Sequence, residues 1–371
     1  MTTTLVLLLL SLGASAFAQT PKEVANSRIA SIIEGVIDAQ GLVGTQAAVW
    51  HDGEIVFEGA WGFADIAQNV PVTRETRFLI ASITKTMTGL TVLRLAEQGD
   101  IDLDEPIQTY VSEFPEQDGP PITPRMLLTH RSGIRGYNQG ETTGATYFDT
   151  HYDSALSALD KFKDDPLAAT PGSTELYSSY GYALLAAAVE NVTGQKYAEN
   201  LRSSLFEPAG MSETEAPDWR YPVDGLAPSY SFYLSHLGVA PGVEPFQARR
   251  LDFSYNPGGG NLVSNSNDLI AYGYQYLNRG SGLVSEWILD TMRTPPEGSQ
   301  QGYGWWIAAD DSGRPVMHAT GASEAYQGSI TIWPEHDLIV VALSNTWGRN
   351  SRQGGFTLTM HNAIAEAVLS D

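Results

Sequence analysis

The chain has 371 residues, 42% of them hydrophobic, with 43 acidic against 21 basic side chains and no cysteine. That length and apolar content are enough to bury a substantial core. A formal charge of -22 with no basic patch argues against a nucleic-acid partner, and the missing thiols exclude cysteine nucleophiles, thiolate metal sites and a disulfide framework.

Residues 5–18 form a short apolar core ending on Ala16-Phe17-Ala18 before Gln19. This is the pattern of a secretory signal peptide cleaved after Ala18, although Met1 to Thr4 carry no basic residue. The run is too short for a stable membrane span, and no later stretch has about twenty uninterrupted apolar residues. The expectation is an exported protein, periplasmic or secreted, acting as residues 19–371. Val24, Ile29, Ile32, Ile33, Val36 and Ile37 predict a helix over 22–39, ended by Gly41. Thr45 to Trp50 and Glu54 to Trp61 flank Asp52-Gly53 and predict a β-hairpin.

The next stretch, Phe78 to Met87, holds Ser82 and Lys85 at the start of a helical run that Gly99-Asp100 stops. Three residues apart on one helix face, the amine reaches the hydroxyl. Near a helix N-terminus, free backbone N–H groups favour a developing oxyanion. Serine attack assisted by such a base is nucleophilic catalysis of acyl transfer. A serine three residues before a lysine arises by chance about once in a chain this long. This chain has five lysines, and only Lys85 has that serine.

The middle of the chain, to about residue 285, reads as helices joined by loops rich in Gly, Pro, Ser and Asn. Its best helix is Tyr180 to Asn191, ending at Thr193-Gly194. Residues 136–153 and 215–260 read as loops. Strand signals return at Tyr303 to Ala308, Gly328 to Trp333 and Leu338 to Leu343, and Phe356 to Leu369 reads as a closing helix. Strands at both ends with helices between predict an α+β fold: a sheet subdomain from about 19–81 and 286–371, and a helical subdomain over about 82–285.

Four stretches taken together resemble the serine β-lactamase and D-Ala-D-Ala peptidase superfamily, most closely its class C β-lactamase, DD-peptidase and family VIII esterase branch. They are Ser82-Ile83-Thr84-Lys85 with the helix after it, "ITPRMLLTHRSGI" at 122–134, "PGSTELYSSYGYALLAAAVENVTGQKY" at 171–197, and "ATGASEAYQGSITIWPEHDLIVVALSN" at 319–345. Order and spacing agree from about residue 25 to 370. The resemblance implies an antiparallel sheet flanked by terminal helices, an all-helical subdomain, and a site in the cleft between them. It implies Ser82 as nucleophile, Lys85 as its proton acceptor or electrostatic partner, and Tyr177 as second general base and acid. The backbone N–H groups of Ser82 and Ala322 would form the oxyanion hole. Ser179 stands where many relatives have an amide-binding Asn. Ala319 stands where they have the Lys or His of Lys-Thr-Gly, with Thr320 and Gly321 completing that motif. His318 lies one place early, where a regular strand turns it away from the site unless a bulge intervenes.

Neither a metal nor an organic cofactor is expected: the histidines lack H-E-x-x-H spacing and there is no thiolate. His130 reads as a structural hydrogen-bonding residue, and Pro257 to Asn261 as a turn near the site. Tyr137, Tyr255 and Trp347 are candidate cleft-lining residues. The reading is an exported serine hydrolase acting through a Ser82 acyl-enzyme on esters or small D-amino-acid amides and peptides. The alternatives are a DD-carboxypeptidase or weak β-lactamase and, from another class, a catalytically silent protein that binds peptidoglycan fragments or a partner. The lost Lys and Asn equivalents motivate the silent reading; retention of Ser82, Lys85 and Tyr177 stands against it.

Overall fold

A computed structural model describes residues 21–138, 141, 150–232, 244–277, 282–323, 325–348 and 356–370. The expected signal peptide at 1–18 lies outside the described residues, as do parts of the two expected loops at 136–153 and 215–260. In chain order the elements begin with α1 (Pro21–Gln40), β1 (Gly44–His51), β2 (Glu54–Asp65), β3 (Val70–Pro71) and β4 (Phe78–Leu79). The helices α2 (Thr84–Gln98), α3 (Pro124–Leu128), α4 (Ala155–Ala158), α5 (Ser179–Thr193), α6 (Tyr197–Leu201) and α7 (Glu207–Ala209) follow. Then come β5 (Tyr230–Ser231), β6 (Phe246–Gln247), β7 (Val263–Ser264), α8 (Ser266–Tyr274) and α9 (Glu286–Arg293). The chain closes with β8 (Gln301–Gly302), β9 (Trp305–Ala309), β10 (Pro315–Ser323), β11 (Tyr326–Trp333), β12 (Leu338–Ser344) and α10 (Leu358–Leu369).

Eight strands form one antiparallel sheet in the order β3-β2-β1-β12-β11-β10-β9-β8. The β1–β2 turn has positive φ at both Asp52 (48°) and Gly53 (92°), the backbone that a two-residue hairpin matched to strand twist demands. The long-range pairing is β1 with β12, Thr45 facing Ser344 through to His51 facing Leu338. This joins the two ends of the chain. All seven residues of β12 are buried because it is flanked by β1 and β11 and covered on both faces, so its sequence reads as an unbroken apolar run.

On one face, α1 and α10 pack against the sheet through Ile29, Ile33, Val340, Ala342 and Ile364. Burying Ile29 and Ile33 completely contributes roughly 1.5–3 kcal/mol each, which fixes α1 although its remaining surface is largely polar. On the other face lies the main core, where Ile83, Met87 and Leu90 of the α2 region meet Ile330, Ile339 and Leu343 of the sheet and Leu184 of α5. Within it, α8 packs on β12 and β1, so this helix from the middle of the chain belongs to the sheet's inner layer. The architecture is α+β, a sheet flanked by the terminal helices with a largely helical region beside it. Among the described residues no helix is long and apolar enough to cross a membrane.

Candidate active site

The sheet edge and the helical region meet at Ser82. Short β4 pairs with β7, Phe78 opposite Ser264 and Leu79 opposite Val263, and Ile80 N–H donates to Leu262 O at 3.0 Å. The chain then turns sharply: Ala81 takes φ +44°, a left-handed conformation disfavoured for any residue with a Cβ and typical of constrained sites. Ser82 occupies the 3-10 turn Ala81–Ile83 that feeds α2. The α-helix begins two residues after Ser82, which sits just ahead of its first turn at the positive end of the helix, near the helix start as expected.

One turn on, Lys85 is 2% exposed. Its Nζ lies 3.1 Å from Ser82 Oγ, 3.0 Å from Ser179 Oγ and 2.6 Å from Gly259 O. The expected pair therefore meets, and Ser179 joins it from the first residue of α5. Gly259 comes from the Pro257–Asn261 turn. A Cβ on Gly259 would lie 2.0 Å from Asn256 Oδ1, so only glycine lets that carbonyl approach Lys85 with Asn256 in place.

The segment Tyr177-Ser178-Ser179 is pinned from below. Ser178 caps α5, its Oγ accepting from Gly181 N at 3.1 Å and donating to Arg135 O at 2.7 Å. Ser178 N–H donates to Nδ1 of His130 at 3.1 Å, so His130 is held as the neutral tautomer with its proton on Nε2. Burial, reinforced by the charge of Lys85, pushes the His130 imidazole down to about 3. Its ring lies 4.4 Å from that of Tyr177. Tyr177 is 45% exposed and offers Lys85 its ring, the Nζ lying 4.9 Å from the centroid.

Strand β10 closes the other side. A Cβ on Gly321 would fall 2.0 Å from Ile80 O and 3.1 Å from Ser82 N, so strand and nucleophile turn are in backbone contact. Ala322, next in line, pairs with Gln327, and Thr320 pairs with Ser329. Residues 315–318 pair with β9 and 317–323 with β11, so 319–323 pair only with β11. That leaves one edge of the strand open beside Ser82. Ala319 is buried at 2% exposure and Thr320 is exposed.

The structure does not bring His318 into this cluster. Its Nδ1 bonds Thr331 Oγ1 at 2.7 Å, and its ring stands edge-on to His361 of α10 at 5.8 Å. The strand is regular here, His318 opposite Thr331, so no bulge turns the imidazole toward Ser82. Burial pushes it down to about 4.

Two residues extend the cluster. Tyr137 Oη accepts from Asn256 Nδ2 at 2.9 Å, and its ring stands edge-on to Tyr180 and Tyr255 at 5.3 and 6.2 Å. Asn256 went unnoticed in the sequence, where only its position just before Pro257-Gly258-Gly259-Gly260 could have flagged it. A separate cavity of about 320 Å³, lined by Trp219, Leu226, Phe253 and Tyr326 among others, includes none of these residues. Among the described residues no group of three His, Asp or Glu is placed to hold a metal ion.

A family model described as Beta-lactamase matches residues 29–361. Over 311 residues the chain is 28% identical to the serine beta-lactamase-like protein LACTB, mitochondrial, of Bos taurus, covering 65% of this chain and 54% of that protein. Over 215 residues it is 33% identical to esterase EstB of Burkholderia gladioli, covering 55% of this chain and 54% of that protein. The chain thus spans about half the length of these curated relatives. Among solved structures, the octameric penicillin-binding protein homologue from Pyrococcus abyssi aligns with a TM-score of 0.76 at 26% identity, covering 93% of this chain and 77% of that one. The D-amino acid amidase of Ochrobactrum anthropi SV3 aligns with a TM-score of 0.78 at 22% identity over 93% of this chain and 99% of that one, a likeness of fold.

Proposed function

Since the chain belongs to the Beta-lactamase family, whose model spans residues 29–361, we propose that it is a serine hydrolase working through an acyl-enzyme on Ser82. The observation that carries this reading is the 3.1 Å approach of Lys85 Nζ to Ser82 Oγ inside a buried network. A neutral Lys85 keeps two N–H bonds for Ser179 and Gly259 and turns its lone pair to Ser82. As Oγ forms its bond to the substrate carbonyl carbon, the Ser82 proton passes to that lone pair. The carbonyl oxygen takes the negative charge facing the N–H groups of Ser82 and Ala322. Collapse breaks the bond to the leaving group, which takes a proton through Tyr177. Water, losing a proton to the same pair, then frees the acid and restores Ser82.

Esters and small D-amino-acid amides or peptides are the proposed substrates. The named activities of the esterase and amidase relatives support this. So does Ala319, which leaves that position of β10 without a cation to hold a substrate carboxylate. The apolar run before Gln19 supports export to the periplasm or beyond. The test is hydrolysis of p-nitrophenyl butyrate and a chromogenic cephalosporin, with fluorophosphonate labelling, by residues 19–371 and their Ser82→Ala variant. Ester turnover and labelling that vanish in the variant are expected. Labelling at an unaltered rate in Ser82→Ala would sink the assignment, and strong lactam turnover would move the substrate class to β-lactams.

A further inference from the structure

With no hydrogen bond to its hydroxyl among the described residues, Tyr177 is held in place through its backbone and its ring. His130 supplies both supports. Its carbonyl accepts from Leu176 N–H at 2.7 Å, and its Nδ1 accepts from Ser178 N–H at 3.1 Å. One residue thus holds the peptide groups before and after Tyr177, and its ring lies 4.4 Å from the phenol ring. His130 is itself fixed. It is 2% exposed, its N–H donates to Leu127 O at 3.2 Å, and its ring lies 5.2 Å from that of Tyr182, whose hydroxyl donates to Leu128 O at 2.8 Å. Its backbone takes φ +56°, a left-handed conformation that histidine adopts more readily than most residues with a Cβ, yet one that its surroundings must enforce. Burial, then the Lys85 charge, hold the imidazole down to about 3, so Nδ1 stays an acceptor at any working pH. A support locked in this way sets the precision of the group it carries.

We propose that His130 is the positioning residue of Tyr177: by accepting the N–H groups on either side of that tyrosine, it places the phenol where a departing alkoxide or amine takes its proton. This rests on the hydrolase reading above and gives a residue that touches no reacting atom a share in leaving-group protonation. Such protonation matters most where the leaving group is a strong base. A p-nitrophenolate departs without a proton, and an ethoxide does not. His130 therefore governs the ratio of rates for two esters of the same acid, a ratio that a general loss of folded protein leaves untouched.

The test is kcat/KM for ethyl butyrate over kcat/KM for p-nitrophenyl butyrate, which reads acylation because both esters give the same acyl-enzyme. In His130→Phe, which has a ring but no acceptor, the ratio should fall about tenfold or more, within the hundredfold that a misplacement of about 1 Å costs. Tyr177→Phe should lower it as well, and His130→Phe added to Tyr177→Phe should change it by less than about twofold. His130→Asn, whose Oδ1 falls where Nδ1 stood and which tolerates the left-handed backbone, should keep a ratio near that of wild type. Should His130→Phe not fold, His130→Gln, whose oxygen lies one bond further out, takes its place with the same expectations. An equal loss on both esters, a loss that persists in full in the Tyr177→Phe background, or an Asn variant as impaired as the Phe variant would overturn the proposal. Should the wild type cleave neither ester and resist fluorophosphonate, the hydrolase reading falls, and crystal structures of wild type and His130→Phe decide the positioning alone. A Tyr177 ring displaced by about 1 Å or more supports it, and an unmoved ring refutes it.

Discussion

Lys85 as an ammonium has three hydrogens and finds three acceptors, Ser82 Oγ, Ser179 Oγ and Gly259 O, with no carboxylate among them. Tyr177 presents its ring to the same nitrogen, and its hydroxyl makes no hydrogen bond among the described residues. Tyr177→Phe keeps the stacking on His130 and removes the hydroxyl alone. The expected outcome is a fall in kcat of roughly two orders of magnitude, the usual scale of lost acid-base help, with a melting temperature close to wild type. A kcat near wild type in steady-state assays would assign the whole transfer to Lys85.

At the scale of elements, the contact between β10 and the turn before α2 decides whether strand and nucleophile share one site. A side chain at position 321 would meet the Ile80 carbonyl at 2.0 Å, and backbone cannot swing aside as a side-chain end does. Gly321→Ala should cost about 1–3 kcal/mol, as overpacking does, and slow fluorophosphonate labelling at least tenfold by moving Ala322 away from Ser82. Wild-type labelling and melting in that variant would mean the strand is not braced there. Much of this architecture was legible in the sequence because its signals are local. The spacing of Ile29, Ile33 and Val36 gave α1, Asp52-Gly53 gave the hairpin, and the apolar run 338–343 gave the buried strand. Gly99 and Gly194, both left-handed with φ of 85° and 68°, ended α2 and α5 where expected. Asn256 was not legible, because its role depends on Gly259 lying against Ser179 and Gly260 against Ala81 across the fold, a proximity that no local pattern encodes. His318 shows the reverse. Strand alternation predicts its facing away, and the neighbours that hold it there, Thr331 and His361, come from later in the chain.

For the whole molecule, the buried imidazoles set how stability follows pH. His130, His318 and His361 are 2%, 8% and 0% exposed. Burial, with the Lys85 charge added, lowers His130 to about 3; burial lowers His318 to about 4; burial, then the His318 charge, lowers His361 well below its ordinary value. In the unfolded chain each titrates near 6.5. Between 6.5 and the folded values the unfolded state binds protons that the folded state refuses, so stability falls as pH falls, at up to about 1.4 kcal/mol per pH unit for each group. Two other effects run the opposite way. The net charge of -22 repels itself less once carboxylates protonate, and Asp268, raised by burial, gains stability on acidification. The charge effect acts mainly around pH 4, where ordinary carboxylates titrate, and Asp268 is one group against three, so between pH 7 and 5 the histidines dominate. Urea unfolding at pH 7.5 and pH 5.0 should therefore show a loss of about 2 kcal/mol for each of the three groups. His361→Asn should make the slope shallower by one group's share, whatever its own effect at pH 7.5. Equal unfolding free energies at the two pH values would mean that these imidazoles are hydrated enough to titrate in the native state.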